Sequence, residues 1–316
     1  MKQLLFFLLF SIAAQSQSFT NIDNVVAKYP RFFKVEQLVT KIKKDFFSDE
    51  DKVRAAFFWL ANNIRYNLEE YYNPKQRSYN FRYTTESEKK QKLQAIKDKI
   101  VADTFRTKSG VCEEYAQSFK KICDLLNIEA VVIKGNVRNT PQEIGKLENS
   151  TNHAWNGVKI NGKWLILDAT WAAGFEQNGR WVKQFDNYFY NLPKDKIFKT
   201  HYPANTLWVL RFGRMSLEEF YNQPIYGKAF LNSKVELVSP KTGVLSVNSV
   251  RQIKLKFKNL DAKSLIFYTF QGQRYAQKPS ILIEGNIATL IFKNAPKNSY
   301  LNLFINKEIA IQFKTK

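Results

Sequence analysis

The chain is short of the side chains that most metal, redox and disulfide chemistry needs. Its 316 residues include two cysteines and two histidines, Cys112, Cys123, His153 and His201. Neither H-E-x-x-H nor C-x-x-C spacing occurs, so metal catalysis is not expected, nor is any metal or cofactor. Two cysteines cannot build a disulfide framework. Cys112 and Cys123 lie eleven residues apart on one expected helix, about 16 Å along its axis at the helical rise. A disulfide needs Cα atoms within about 7 Å, so both thiols should be free. Long apolar runs are scarce as well. Leu4 to Ala14 is too short to cross a bilayer. Lys2 precedes it and small polar residues follow, so 1–16 reads as an export signal ending near Ser16. No cysteine follows the run to carry a lipid. A secreted or periplasmic chain without a membrane span is expected, and an unpaired thiol in an oxidising compartment points to chemistry.

Acidic residues are also few, 28 against 49 Lys and Arg, a net charge of +21. From Lys234 to Lys316 there are fourteen Lys and Arg against Glu236, Asp261, Glu284 and Glu308, a net of +10. Such a field attracts acidic polysaccharide or another polyanion, although single clusters of this kind are mostly solvated faces. No helix-turn-helix, zinc-knuckle or RNA-binding signature accompanies the charge, so specific nucleic-acid recognition is not expected.

Three segments carry candidate chemistry. In TKSGVCEEYAQSFKKICDLL, Tyr115, Phe119, Ile122 and Leu126 fall at helical spacing. A helix starting near Ser109 puts Cys112 in the first turn, where the helix dipole favours thiolate over thiol. In NHAWNGVKINGKWLILDATW, Asn161-Gly162 signals a two-residue hairpin. Without a bulge, Ile160 faces Lys163, Trp155 faces Asp168 and His153 faces Thr170. His153 and Asp168 then project from one face as diagonal neighbours, within side-chain reach. A lone cysteine is usually a small buried hydrophobe. Here a thiol, an imidazole and a carboxylate stand in the pattern of nucleophile, base and orienter, which favours the catalytic reading.

GVCEEYA, NHAWN and LDATW resemble the three signature segments of the transglutaminase-like superfamily, relatives of papain-like cysteine peptidases. Trp59 in FFWLANNIRYN resembles the helix before that core, and VADTFRTKSGVC its lead-in to the nucleophile. DNYFYNLPKDKIFKTHYPANTLWVL resembles a His-Pro-containing segment of the kyphoscoliosis peptidase branch, which marks His201 as structural. The resemblance implies Cys112 as nucleophile, His153 as base, Asp168 as orienter, and a protein or peptide substrate. Many relatives have glycine where Glu114 stands. A carboxylate pointing inward there would oppose the thiolate.

The expected fold class is α+β: a transglutaminase-like core, its nucleophile helix packed on an antiparallel sheet, over 17–229. Before the nucleophile helix, 19–66 and 86–105 read as helical. After it come a strand at 130–134 and a polar loop at 136–151. Segments 185–190 and 207–212 read as strands or aromatic packing segments. From 230 to 316 short β-prone runs alternate with turn signals, as at Gly285-Asn286, and suggest an immunoglobulin- or fibronectin-like sandwich for adhesion or positioning. In RQIKLKFK, apolar Ile253, Leu255 and Phe257 alternate with lysines, as in a half-buried strand. An exported cysteine enzyme acting on amide bonds is the leading expectation, as peptidase, amidase or transglutaminase. A silent scaffold of the same fold, or a polyanion-binding surface protein, is the alternative.

Overall fold

The computed structural model describes residues 19–74, 81–261 and 263–316, so the expected export signal at 1–16 lies outside the described residues. The chain forms two compact units. The first takes the chain up to Ile133 together with His153–Leu192, and the second takes Lys134–Asn152 with Pro193–Lys316.

In the first unit, residues 19–26 are helical, followed by α1 (Val35–Asp45) and α2 (Asp49–Asn63). α1 buries Val35, Leu38, Val39 and Ile42, one stripe at helical spacing. Ser48 caps α2 by accepting from the Asp51 amide at 3.1 Å, and Asp49, Glu50 and Asp51 fill the first turn, where the helix dipole favours acids. α2 is buried almost all round. Its Arg54, 2% exposed, forks onto Asp23 through Nε at 2.8 Å and Nη2 at 2.6 Å. Arg54 Nη1 donates to Asn187 at 2.6 Å. Removing one side of such a buried pair costs about 3–5 kcal/mol. Trp59 stacks on Phe105 of α3 (Glu86–Thr107), with ring centroids 5.3 Å apart.

α3 ends at Lys108, which is left-handed at φ 55°. Ser109-Gly110 then pairs in parallel with Arg65-Tyr66. That pairing delays the next helix to α4 (Cys112–Leu126), three residues after the expected start. α4 buries the expected Tyr115, Phe119, Ile122 and Leu126. Beyond it, β1 (Ala130–Val137) runs on from the first unit into the second. In the first unit its opening residues lie beside β2 (His153–Ile160), which pairs with β3 (Lys163–Leu167). Asn161 and Gly162 turn at φ 48° and 75°, and Ile160 faces Lys163, the unbulged hairpin that the Asn-Gly pair implies. After α5 (Ala169–Ala173), a ribbon of β4 (Gly174–Gln177) and β5 (Arg180–Lys183) follows.

In the second unit, Gly135–Val137 pairs with β6 (His201–Pro203). The 136–151 segment, expected as loop, therefore begins as strand and adds a 3-10 turn at Pro141–Glu143. Leu207–Phe212 is helical within α6 (Thr206–Phe212), because Asn205 caps the Leu207 amide at 2.8 Å. In the first unit, 185–190 likewise forms a 3-10 turn, Asn187–Phe189, capped by Asp186. The strand alternative fails for both segments because a side-chain cap captures the backbone first.

The C-terminal strands form two sheets. One orders β7 (Glu236–Ser239), β8 (Ile253–Lys258), β11 (Ile287–Phe292) and β10 (Ser280–Glu284). The other orders Val244-Leu245, β13 (Glu308–Thr315), β12 (Ser299–Ile305) and β9 (Ile266–Phe270). Ile253, Leu255 and Phe257 point inward, and Lys254 and Lys256 outward. Tyr268 of one sheet meets Phe292 of the other edge-on, centroids 4.9 Å apart, as in a packed sandwich.

Candidate active site

Three elements of the first unit carry the candidate residues. Cys112 is the first residue of α4, where the backbone N–H groups lack helical partners. It is partly exposed, while Cys123 is fully buried on the same helix, and both thiols are free. Burial pushes the Cys123 thiol far up and keeps it inert. Glu114 closes the start of α4. Its Oε2 turns back and accepts from the Val111 amide at 3.0 Å, half of a capping box. Gly110 makes room for this turn: a Cβ there would meet the Glu114 Cβ at 2.4 Å. The departure at Glu114 is a helix cap.

The ladder between β2 and β3 ends at Asn156 and Leu167, one position before Asp168. Asp168 there becomes the cap of α5, its Oδ1 accepting from the Thr170 amide at 2.8 Å and the Trp171 amide at 3.1 Å. The Thr170 partner expected for His153 is consequently helical. The diagonal contact survives all the same: His153 Nε2 lies 2.7 Å from Asp168 Oδ2. Two backbone amides hold one carboxylate oxygen, which aims the other at the imidazole. The imidazole itself packs against Trp155 and Trp171, centroids 6.0 and 5.9 Å away. Trp155 is the next residue on the same face of β2, as strand alternation requires.

Asp168 is 0% and His153 7% exposed. Burial alone would strip the His153 proton. The Asp168 carboxylate and the Cys112 thiol together outweigh it, and the pKa of His153 is pushed up to about 10. The Cys112 thiol lies close enough to the imidazole to contribute to that rise. One imidazole thus serves Asp168 on Nε2 and leaves Nδ1 for the sulfur.

Asn156, which the sequence reading passed over, holds these parts in register. Its buried Nδ2 donates to the Ala116 carbonyl of α4 at 3.0 Å and the Val131 carbonyl of β1 at 3.2 Å. A polar residue buried between Trp155 and Val158 in β2 was the available signal. His201 opens β6 in the second unit, buried, with Nδ1 2.8 Å from Thr200 Oγ1.

The sequence of this core matches a known family model. Residues 35–169 match the model described as the transglutaminase-like superfamily. Residues 35–169 are a transglutaminase-like domain. The chain is 25% identical over 244 residues to kyphoscoliosis peptidase of Mus musculus, covering 76% of this chain and 33% of that protein. It is 27% identical over 133 residues to hillarin of Drosophila melanogaster, covering 37% of this chain and 16% of that protein. The chain thus spans about a third of the length of the first of these relatives. A crystal structure described as a TGase aligns with 54% of this chain and 35% of its own at 19% identity, with a TM-score of 0.30. Among the described residues, no helix is long and apolar enough to cross a membrane.

Proposed function

We propose that the transglutaminase-like domain is the catalytic part of an exported cysteine enzyme acting on amide bonds of a protein or peptide. The observation that carries this reading is the His153 imidazole, bonded at 2.7 Å to a buried Asp168 and raised in pKa by that carboxylate and by the nearby Cys112 thiol at the head of α4. The Cys112 thiolate attacks the amide carbonyl carbon, a C–S bond forms, and the carbonyl pair moves onto oxygen. His153 gives its proton to the leaving nitrogen as the C–N bond breaks. A thioester remains on Cys112. Water then attacks it, His153 takes up the water proton, the C–S bond breaks and the thiolate returns. A lysine amine in place of water would give transamidation. Hydrolysis is the reading adopted, in keeping with the peptidase name of the mouse relative.

Groups that act in one step show non-additive losses. Cys112→Ala should abolish release of peptides from a protein digest, and His153→Ala should come close. Changing both should be hardly worse than Cys112→Ala alone. A parallel assay follows incorporation of a labelled amine into a glutamine-bearing acceptor, and product there would replace hydrolysis by transamidation. Turnover that survives Cys112→Ala would overturn the proposal.

A further inference from the structure

The second unit holds a cleft of its own, built without any residue used in the steps above. It measures about 960 Å³, at the upper end of the range for small-ligand sites. Tyr226 borders it, set in the sheet opposite Ile311 of β13 and only 9% exposed. The Lys199 ammonium lies 4.8 Å from the centroid of the Tyr226 ring, and Phe230 packs on that ring with centroids 5.0 Å apart. Lys199 ends the 3-10 turn Ile197–Lys199, and Lys196 precedes it. Lys196 Nζ donates to the Leu231 and Ser233 carbonyls, both at 2.8 Å. An ammonium has three donors, so one is left over.

These donors have no matching acceptor. The Tyr226 hydroxyl has no hydrogen-bond partner among the described residues, yet it is not sealed from solvent. Burial pushes its pKa up to about 12 against the pull of Arg138, so it is a donor at neutral pH. Lys199 is half-buried and has neither hydrogen bond nor ion pair among the described residues. Burial first, then Lys196, holds its ammonium below the ordinary pKa, while Asp195 and Glu236 oppose and Lys241 adds to the lowering. A half-buried cation crowded by cations is stabilised by a bound anion. The nature of that anion follows from the rest of the lining. Asp195, Glu218 and Glu236 are exposed in the same cleft and form no ion pair among the described residues. They repel an unbroken polyanion but accept hydrogen bonds from hydroxyl groups. Unpaired donors beside unpaired acceptors suit a single carboxylate on a hydroxyl-rich body.

We propose that this cleft binds an acidic sugar, a uronate unit whose carboxylate is held by Lys199, the Tyr226 hydroxyl and the spare donor of Lys196, and whose hydroxyls donate to the exposed carboxylates. The site goes beyond the acyl-transfer reading and does not depend on it.

The test titrates the full chain with tetragalacturonate in a calorimeter at one fixed salt concentration. Saturable binding is expected. Lys199→Met keeps the aliphatic stem over the ring and should weaken binding about tenfold, the loss of one charge-assisted hydrogen bond. Tyr226→Phe should weaken it in the same direction. Lys241→Met changes an exposed lysine of the cleft, so folding is not at stake, and it should weaken binding too. Lys254→Met removes the same charge from the outward face of β8 and should leave affinity unchanged. The methyl ester of the same sugar, without its charges, should bind far more weakly than the acid. No saturable binding, or losses in Lys254→Met equal to those in Lys199→Met, would overturn the site and leave only a diffuse positive field. A thymidylate tetranucleotide that binds as tightly, with the same dependence on Lys199, would overturn the acidic sugar in favour of a general anion site.

Discussion

Replacing Asp168 by asparagine changes one charge and almost no volume, and its consequences can be worked out from the contacts. An amide oxygen can still accept from the Thr170 and Trp171 amides at 2.8 and 3.1 Å. Asparagine caps helices as well as aspartate does, so the cap should survive. The other end of the amide presents N–H to His153 Nε2, which must then accept, leaving the proton on Nδ1. That is the wrong tautomer for taking a proton from sulfur, and the comparable change in a serine triad costs about 10⁴ in rate. A loss of about 10³–10⁴ in kcat is expected here. The charge matters too. With Asp168 ionised, His153 holds its proton up to about pH 10. Without it burial takes over, and His153 should titrate below its ordinary range.

The chain has two histidines, so 13C-histidine labelling yields two imidazole signals, and His153→Asn assigns them. In the wild type the His153 signal should stay imidazolium across neutral pH. In Asp168→Asn it should be neutral there. The same shift sets stability. A pKa raised in the folded state stabilises fully below about pH 6.5, and that stabilisation is lost as the pH rises to about 10. It amounts to roughly 4–5 kcal/mol, shared between Asp168 and Cys112. The wild type should therefore melt above Asp168→Asn at pH 6, and the difference should shrink steadily toward pH 10. A wild-type His153 that titrates near pH 6.5, or one indifferent to Asp168→Asn, would refute the reasoning.

Two further outcomes follow from the packing. Asn156→Leu leaves the buried Ala116 and Val131 carbonyls without its amide, costing about 2–3 kcal/mol and several degrees in Tm. Thermal melts would read this, and an unchanged Tm would mean that the amide does not hold α4 to β2. Residues 230–316, proposed as a separately folding module, should unfold cooperatively when expressed alone and give a β-type circular dichroism spectrum. A disordered fragment would move the boundary toward Ile225-Tyr226, which pairs with β13.

Local sequence determined more of the candidate site than of its surroundings. The Asn161-Gly162 turn sets the hairpin register by itself, because a positive φ at both positions suits those residues, and register decides which side chains share a face. His153 and Asp168 were therefore legible as neighbours, and helical spacing was enough to put Cys112 in a first turn. Alternation likewise announced β8, and turn signals between β-prone runs announced a strand-rich C-terminal region. The turn before β13 uses Asn306-Lys307, a lysine held at φ 71° where glycine is the usual signal. Everything that depends on partners distant in sequence required the tertiary structure. The pairing of Arg65-Tyr66 with Ser109-Gly110 set where α4 begins and brought Tyr66 beside Cys112. A local cap set Glu114 on the Val111 amide. The Arg54 clamp joins Asp23 to Asn187 across 164 residues of chain. Periodicity reports which face of an element is buried; which buried face it meets, and which polar group is waiting there, is decided only when the elements pack.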